Sequence, residues 1–138
     1  MKSVFIDSSV LFTATNSPTG GSAKLFTLAN IKLLVSPLVL TETERNVRSK
    51  LHSYQLQRFF KLAEKTQILD QKSDPGLIIK AKKVIAEKDA AIIAEAKVAK
   101  CDFLATLDKK DFFNEKVAKF LKPTIALTPK DLIELLHL

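Results

Sequence analysis

The chain has 138 residues, 46% hydrophobic and 27% charged, which suits a single domain over 1–138 with its own core and excludes a disordered polyelectrolyte. Its 22 basic against 15 acidic side chains give a net charge of +7 and a pI near 9.5, which favours a polyanionic partner such as nucleic acid, although surplus lysine also serves plain solubility. One cysteine, Cys101, excludes an internal disulfide and a cysteine-based zinc site and fits a reducing cytoplasm; no apolar run reaches membrane-spanning length and no signal peptide precedes the first strand.

In chain order, Lys2 to Ile6 is a run of apolar, β-favouring residues and predicts a buried strand that ends at Asp7. A short helix over Ser9 to Ala14 gives way to a turn at Ser17-Pro18-Thr19-Gly20-Gly21. Ser22 is placed to cap a helix running to about Asn30. Leu33-Leu34-Val35 predicts the second strand, closed by Ser36-Pro37. A long helix follows with Leu40, Val47 and Leu51 on one face, broken near His52-Ser53 before a further helix through Phe59, Phe60 and Ala63. Gln67-Ile68-Leu69 reads as the third strand and Ser73-Asp74-Pro75-Gly76 as a turn. Helices over Leu77 to Ala86 and Asp89 to Lys100 lead to the fourth strand, Phe103 to Thr106. Lys109 to Leu121 is helical or irregular, and Thr124 to Leu127 is the fifth strand. In the last helix Thr128 is the cap, Pro129 takes the first position, and Asp131 follows three residues after the cap.

Strands separated by helices imply parallel pairing, right-handed crossovers and helices on both faces of the sheet. Five such strands predict a three-layer α/β/α fold with strand order 3-2-1-4-5. Strands one and four are then neighbours, and Asp7 and Asp108 end adjacent strands, about 5 Å apart at the backbone. Two carboxylates that close repel each other unless a cation lies between them. Glu42 falls near the start of the helix after strand two, either as a solvated first-turn glutamate or as a further member of the site. Asp89 heads the stripe formed with Ile92, Ile93 and Ala96, where it is either the helix cap or a paired, functional carboxylate.

Taken together, Ile6-Asp7-Ser8-Ser9-Val10-Leu11, Ser36 to Glu42, Lys88-Asp89-Ala90-Ala91-Ile92-Ile93-Ala94-Glu95-Ala96 and Cys101 to Phe112 resemble a PIN domain over essentially the whole chain. At this length the closest likeness within that family is to the VapC-type toxin ribonucleases of toxin–antitoxin pairs. The resemblance implies a Mg²⁺- or Mn²⁺-dependent endoribonuclease whose acidic quartet is Asp7, Glu42, Asp89 and Asp108, with Asp111 as a fifth acid. It gives Thr106 and either Ser8 or Ser9 supporting roles, assigns Asp102 a structural one, and implies RNA as substrate, a small antitoxin as partner and a homodimer. Lys109 and Lys110, beside Asp108, are placed either to grip RNA phosphates or as plain surface lysines. Apolar residues Leu25, Phe26, Leu28, Phe59 and Phe60 exceed what one helix face needs, in line with a dimer.

The residue types fit that chemistry by themselves. Hard divalent cations take carboxylate and water oxygens. His52 and His137 follow no strand, so no pair of histidines is in place for metal-free RNA cleavage. A haloacid-dehalogenase-like phosphatase needs a second Asp where Ser9 stands, and a receiver-like domain needs paired N-terminal acids where only Asp7 occurs. The remaining alternatives are an RNA-processing nuclease of the same fold that is not a toxin, and a non-catalytic PIN-like module that binds RNA or protein.

Overall fold

The structure is a computed structural model and describes residues 1–71 and 74–136. His137, and Ser73 of the expected turn, lie outside the described residues. The five strands are β1 (Lys2–Ile6), β2 (Ile31–Val35), β3 (Gln67–Ile68), β4 (Phe103–Ala105) and β5 (Ile125–Leu127). They form one parallel sheet in the order β3-β2-β1-β4-β5, as the alternating pattern predicts. Val4, Phe5, Ile6 and Leu104 are fully buried, which is the signature of a parallel sheet covered on both faces.

The helices after β1 and β2 are α1 (Ser8–Asn16), α2 (Gly21–Leu25), α3 (Pro37–Lys50) and α4 (Ser53–Glu64), and α1 packs on the other three. Beyond β3 come α5 (Pro75–Ala81), α6 (Glu87–Ala99), α7 (Lys109–Phe112) and α8 (Glu115–Leu121), of which α6 packs on α5 and α8. The sheet grows in one direction through β2 and β3 and in the other through β4 and β5. Right-handed crossovers therefore put the two groups on opposite faces. The last helix, α9 (Pro129–Leu136), packs against α2 and β5.

Local chemistry sets the boundaries that matter for the site. Ser36 caps α3, accepting from the Val39 amide at 3.1 Å, with Pro37 at the first helical position. The buried stripe of α3 is Val39, Thr43 and Val47, with Leu40 and Leu51 only partly buried beside it. Three helices differ from expectation, and one of them, α5, ends at Ala81 instead of Ala86. α2 stops at Leu25 instead of reaching Asn30, because the Thr27 hydroxyl takes the Lys24 carbonyl at 2.7 Å and the chain turns there. Ser22 does not cap it; Gly20, at φ 101°, stands at the N-cap position and Ser22 is buried at the second helical position. α6 starts at Glu87, two residues early, so Asp89 lies within the first turn and Ala86 occupies the N-cap position.

The apolar surplus expected at a dimer surface is mostly core. Leu25, Phe26 and Phe59 are buried, Leu28 packs against them, and Phe60 remains 44% exposed. Cys101 is buried under β4, as expected, and burial pushes its thiol pKa up. Asp102 has its structural role: its carboxylate accepts from the Ser3 amide at 2.9 Å and hydroxyl at 3.2 Å, tying β4 to β1. Those bonds hold its pKa below the usual value. Among the described residues no helix is long and apolar enough to cross a membrane.

Candidate metal centre

At the carboxyl end of β1, Asp7 is 4% exposed and caps α1. Its Oδ1 accepts from the Ser8 amide at 2.8 Å and lies 3.5 Å from the Ser8 hydroxyl. Its Oδ2 accepts from the Ser9 and Thr106 hydroxyls, both at 2.8 Å. Sequence left open which serine supports Asp7; in the structure Ser9 gives the hydroxyl and Ser8 chiefly the amide. Each hydroxyl also binds the neighbouring strand's exit. Ser9 Oγ accepts from the Leu107 amide at 3.1 Å, and Thr106 Oγ1 accepts from the Asp108 amide at 3.1 Å. One side-chain network therefore fixes the ends of β1 and β4 relative to each other.

Asp108 caps α7 and accepts from the Asp111 amide through Oδ1 at 3.1 Å. That cap folds Asp111 back toward Asp108. Asp89 reaches the same place from α6: one carboxylate oxygen from each of Asp89, Asp108 and Asp111 lies within 4.8 Å of the others. Asp7, Asp89 and Asp108 share a pocket of about 240 Å³ with Ser8, Ser9, Phe12, Asn46, Lys50 and Lys88. Burial, and then the charge of Asp7, raise the Asp89 pKa to about 6, with Asp108 and Asp111 adding to the rise and Lys88 opposing it.

Glu42 lines an adjoining pocket of about 330 Å³ with Ser8, Arg45, Asn46, Lys88 and Asp89, outside the tight group of three. Glu95 is a nearby acid not singled out from the sequence. Burial raises its pKa most, the Ser36 hydroxyl opposes this, and the charge of Glu42 adds to it. Asn46 and Lys50 were also missed, although they follow Glu42 at four-residue spacing on one face of α3 and that spacing is legible. Lys109 and Lys110 are exposed. Lys109 turns to a separate pocket on the β5 side, with Leu107 and residues of the α2 and α9 starts.

The donor set can be tested against a divalent cation. Asp89 Oδ2 is buried and accepts no hydrogen bond among the described residues. Such an oxygen is costly beside three other acids unless a cation completes it. The converging ligands are all carboxylates, as a hard cation requires, and neither histidine nor cysteine lines the pocket. The residues fit.

No curated protein sequence matches the chain significantly. The VapBC2 complex of Rickettsia felis, solved bound to a fragment of promoter DNA, superposes with a TM-score of 0.70 at 17% identity, over 91% of this chain and 98% of that one. VapBC-1 from nontypeable Haemophilus influenzae gives a TM-score of 0.61 at 13% identity, covering 93% and 98%. FitAcB from Neisseria gonorrhoeae gives 0.59 at 18%, covering 92% and 98%. At such identities these likenesses speak for the fold. The family model of the PIN domain matches residues 4–119, most of the chain, and the protein belongs to the PIN domain family.

Proposed function

We propose that this protein is a divalent-metal-dependent endoribonuclease and the toxin of a toxin–antitoxin pair. The observation that carries the nuclease reading is the convergence of Asp89, Asp108 and Asp111 beside the buried Asp7, with Asp89 Oδ2 lacking a donor among the described residues. In this reading Asp7, Asp89 and Asp108 hold Mg²⁺ or Mn²⁺, Asp111 supports them, and Glu42 contributes from the adjoining pocket. Bound there, a divalent cation supplies the lowered water pKa and the counter-charge that phosphodiester hydrolysis needs.

The protein's own part is placement. Ser9 and Thr106 fix the Asp7 carboxylate, so one acid of the set is held before substrate arrives. Lys50 and Lys88 bring positive charge to the rim of the acidic pocket, where an RNA phosphate would otherwise be repelled. Lys109 and Lys110, exposed and next to Asp108 in sequence, are the further lysines that this reading assigns to the RNA backbone. The toxin assignment rests on the VapC-type resemblance of the acidic blocks and on the VapBC complexes among the structures of like fold. It brings an antitoxin whose tail offers an arginine or lysine to the acids, and a homodimer, as expected partners.

Cleavage of single-stranded RNA with Mn²⁺, with EDTA, and by Asp7→Asn tests the nuclease. Equal cleavage in EDTA, or by Asp7→Asn, rejects it. Growth arrest on expressing the chain, relieved by the product of a neighbouring small reading frame, tests the toxin. A chain that cleaves RNA in the presence of metal but never slows growth is an RNA-processing nuclease instead.

A further inference from the structure

On the β5 side of Asp108 lies a second pocket, of about 370 Å³, that the acidic site does not use. Its walls include Leu107 and Lys109, the residues flanking Asp108, so the two pockets meet along the exit of β4. Across from them stand Ser22 of α2 and the start of α9, Thr128 to Asp131. We propose that this pocket is a phosphate subsite, which seats a backbone phosphate of the RNA strand beside the one being cleaved. The proposal rests on the ribonuclease reading and deepens it.

Three observations converge there. The first is Ser22. It is 5% exposed, it lines the pocket, and its hydroxyl makes no hydrogen bond among the described residues. Its oxygen is not sealed off, because only Asp89 Oδ2 and Glu95 Oε1 are enclosed without a partner among the described residues, so the Ser22 hydroxyl opens to the pocket and takes its partner from what fills it. Second, Lys109 and Lys130 are both exposed and neither is ion-paired among the described residues. Third, α9 is oriented for an anion. Thr128, 8% exposed, accepts from the Asp131 amide and so keeps its own O–H free to donate. The positive end of the helix dipole adds to this. Gly21 keeps the Lys130 amide open: a Cβ at position 21 would sit 3.4 Å from that nitrogen and cover it.

A hydroxyl, two lysines and a helix start are donors or positive charge, and a phosphodiester offers acceptors and negative charge to match. The exposed carboxylate of Asp131 is the one group in the pocket that opposes an anion. It supplies a test of opposite sign. Contacts of this kind position the strand and read no base, so their loss weakens all sequences alike.

The test is binding of fluorescein-labelled oligo-U and oligo-A to the full chain, by anisotropy in EDTA across about 50–200 mM salt. Lys130→Ala should weaken both several-fold and flatten the slope of log K against log salt by ~0.7. Ser22→Ala should weaken both about threefold. Asp131→Asn should tighten both. Lys32→Ala, at the opposite end of the sheet where Lys32 pairs in register with Ser3, should change neither. The subsite is overturned if Lys130→Ala keeps the wild-type slope, if Asp131→Asn fails to tighten, if Ser22→Ala binds as wild type because water alone satisfies the hydroxyl, or if the oligonucleotides do not bind. Cleavage by wild type and Asp7→Asn with Mn²⁺ is read in parallel. It decides the nuclease independently, because wild-type cleavage with an unchanged Lys130→Ala slope rejects only the subsite.

Discussion

Asp7 on the strand side and Asp89 on the helix side of the acidic pocket carry the same functional group in opposite states. Asp7 is buried with both oxygens occupied, by the Ser8 amide on one side and the Ser9 and Thr106 hydroxyls on the other. Asp89 is less deeply buried, yet its Oδ2 has no partner among the described residues and its pKa is raised to about 6. Glu95, further along α6, repeats the Asp89 pattern with a buried Oε1 that has no donor among the described residues. The strand-end acid is a fixed point built by the protein. The helix-borne acids are unfinished and gain most from a cation.

The largest expected effect comes from breaking the fixed point. Asp7→Asn should lower metal-dependent cleavage by about a hundredfold or more. Relief of carboxylate repulsion by itself predicts an intact or slightly stabilised fold. The hydrogen bonds reverse that expectation. An amide nitrogen must face either the Ser8 N–H or hydroxyls that already accept from Leu107 and Asp108. The variant should therefore lose about 1–3 kcal/mol, measured by urea unfolding in EDTA; an unchanged midpoint contradicts the network described here.

Asp89→Asn should act in the opposite direction on stability while also reducing cleavage. The folded pKa of Asp89, about 6, is above its ordinary value of 3.8. Its contribution to stability is therefore fully present below about pH 4 and is lost as pH rises through about 6. Metal-free wild type should become less stable across that window, and Asp89→Asn should flatten the loss. Added Mn²⁺ at neutral pH should restore wild type and leave the variant largely unmoved. Identical pH profiles for the two proteins would show that Asp89 is not the strained acid.

A smaller effect separates Glu42 from Glu95. Both substitutions to glutamine remove charge from the same neighbourhood. Glu42→Gln should reduce cleavage, whereas Glu95→Gln should mainly raise metal-free stability, because it discharges a buried carboxylate that faces Glu42. If Glu95→Gln alone abolishes cleavage, Glu95 takes the place given to Glu42. The smallest effect concerns assembly. Phe60 and Tyr54 of α4 are exposed, at 44% and 68%. Phe60→Ser should shift a dimer toward monomer by light scattering at tens of micromolar; a wild-type monomer there removes the dimer.

The site was legible in sequence where it depends on strand ends. Asp7, Thr106 and Asp108 are placed by short apolar runs and the turn that follows, and the βα alternation fixes which strands are neighbours. Helix phase was harder. Glu87 and Lys88 are good helix formers, so α6 began earlier than the apolar stripe suggested and put Asp89 inside the first turn. Glu95 was not singled out, because its burial depends on surroundings that no local spacing encodes. The shortness of α2 came from one threonine hydroxyl competing for a carbonyl, and Phe59 and Phe26 proved to be core because α4 and α2 both lie against α1.

The pairing of β1 with β4 is latched at both ends, by Asp102 on Ser3 and by Thr106 on Asp7, across 99 residues of sequence in each case. Contacts so remote along the chain close late, since the loop entropy must be met before they form. Local segments can fold early, but no early intermediate contains the acidic pocket. Asp7 arrives with β1, Asn46 and Lys50 with α3, Asp89 with α6, and Asp108 and Asp111 only after β4. A ribosome-bound chain that has not yet released β4 therefore has an unfinished acidic pocket, and on the proposed ribonuclease reading it has no means of cutting the message that encodes it.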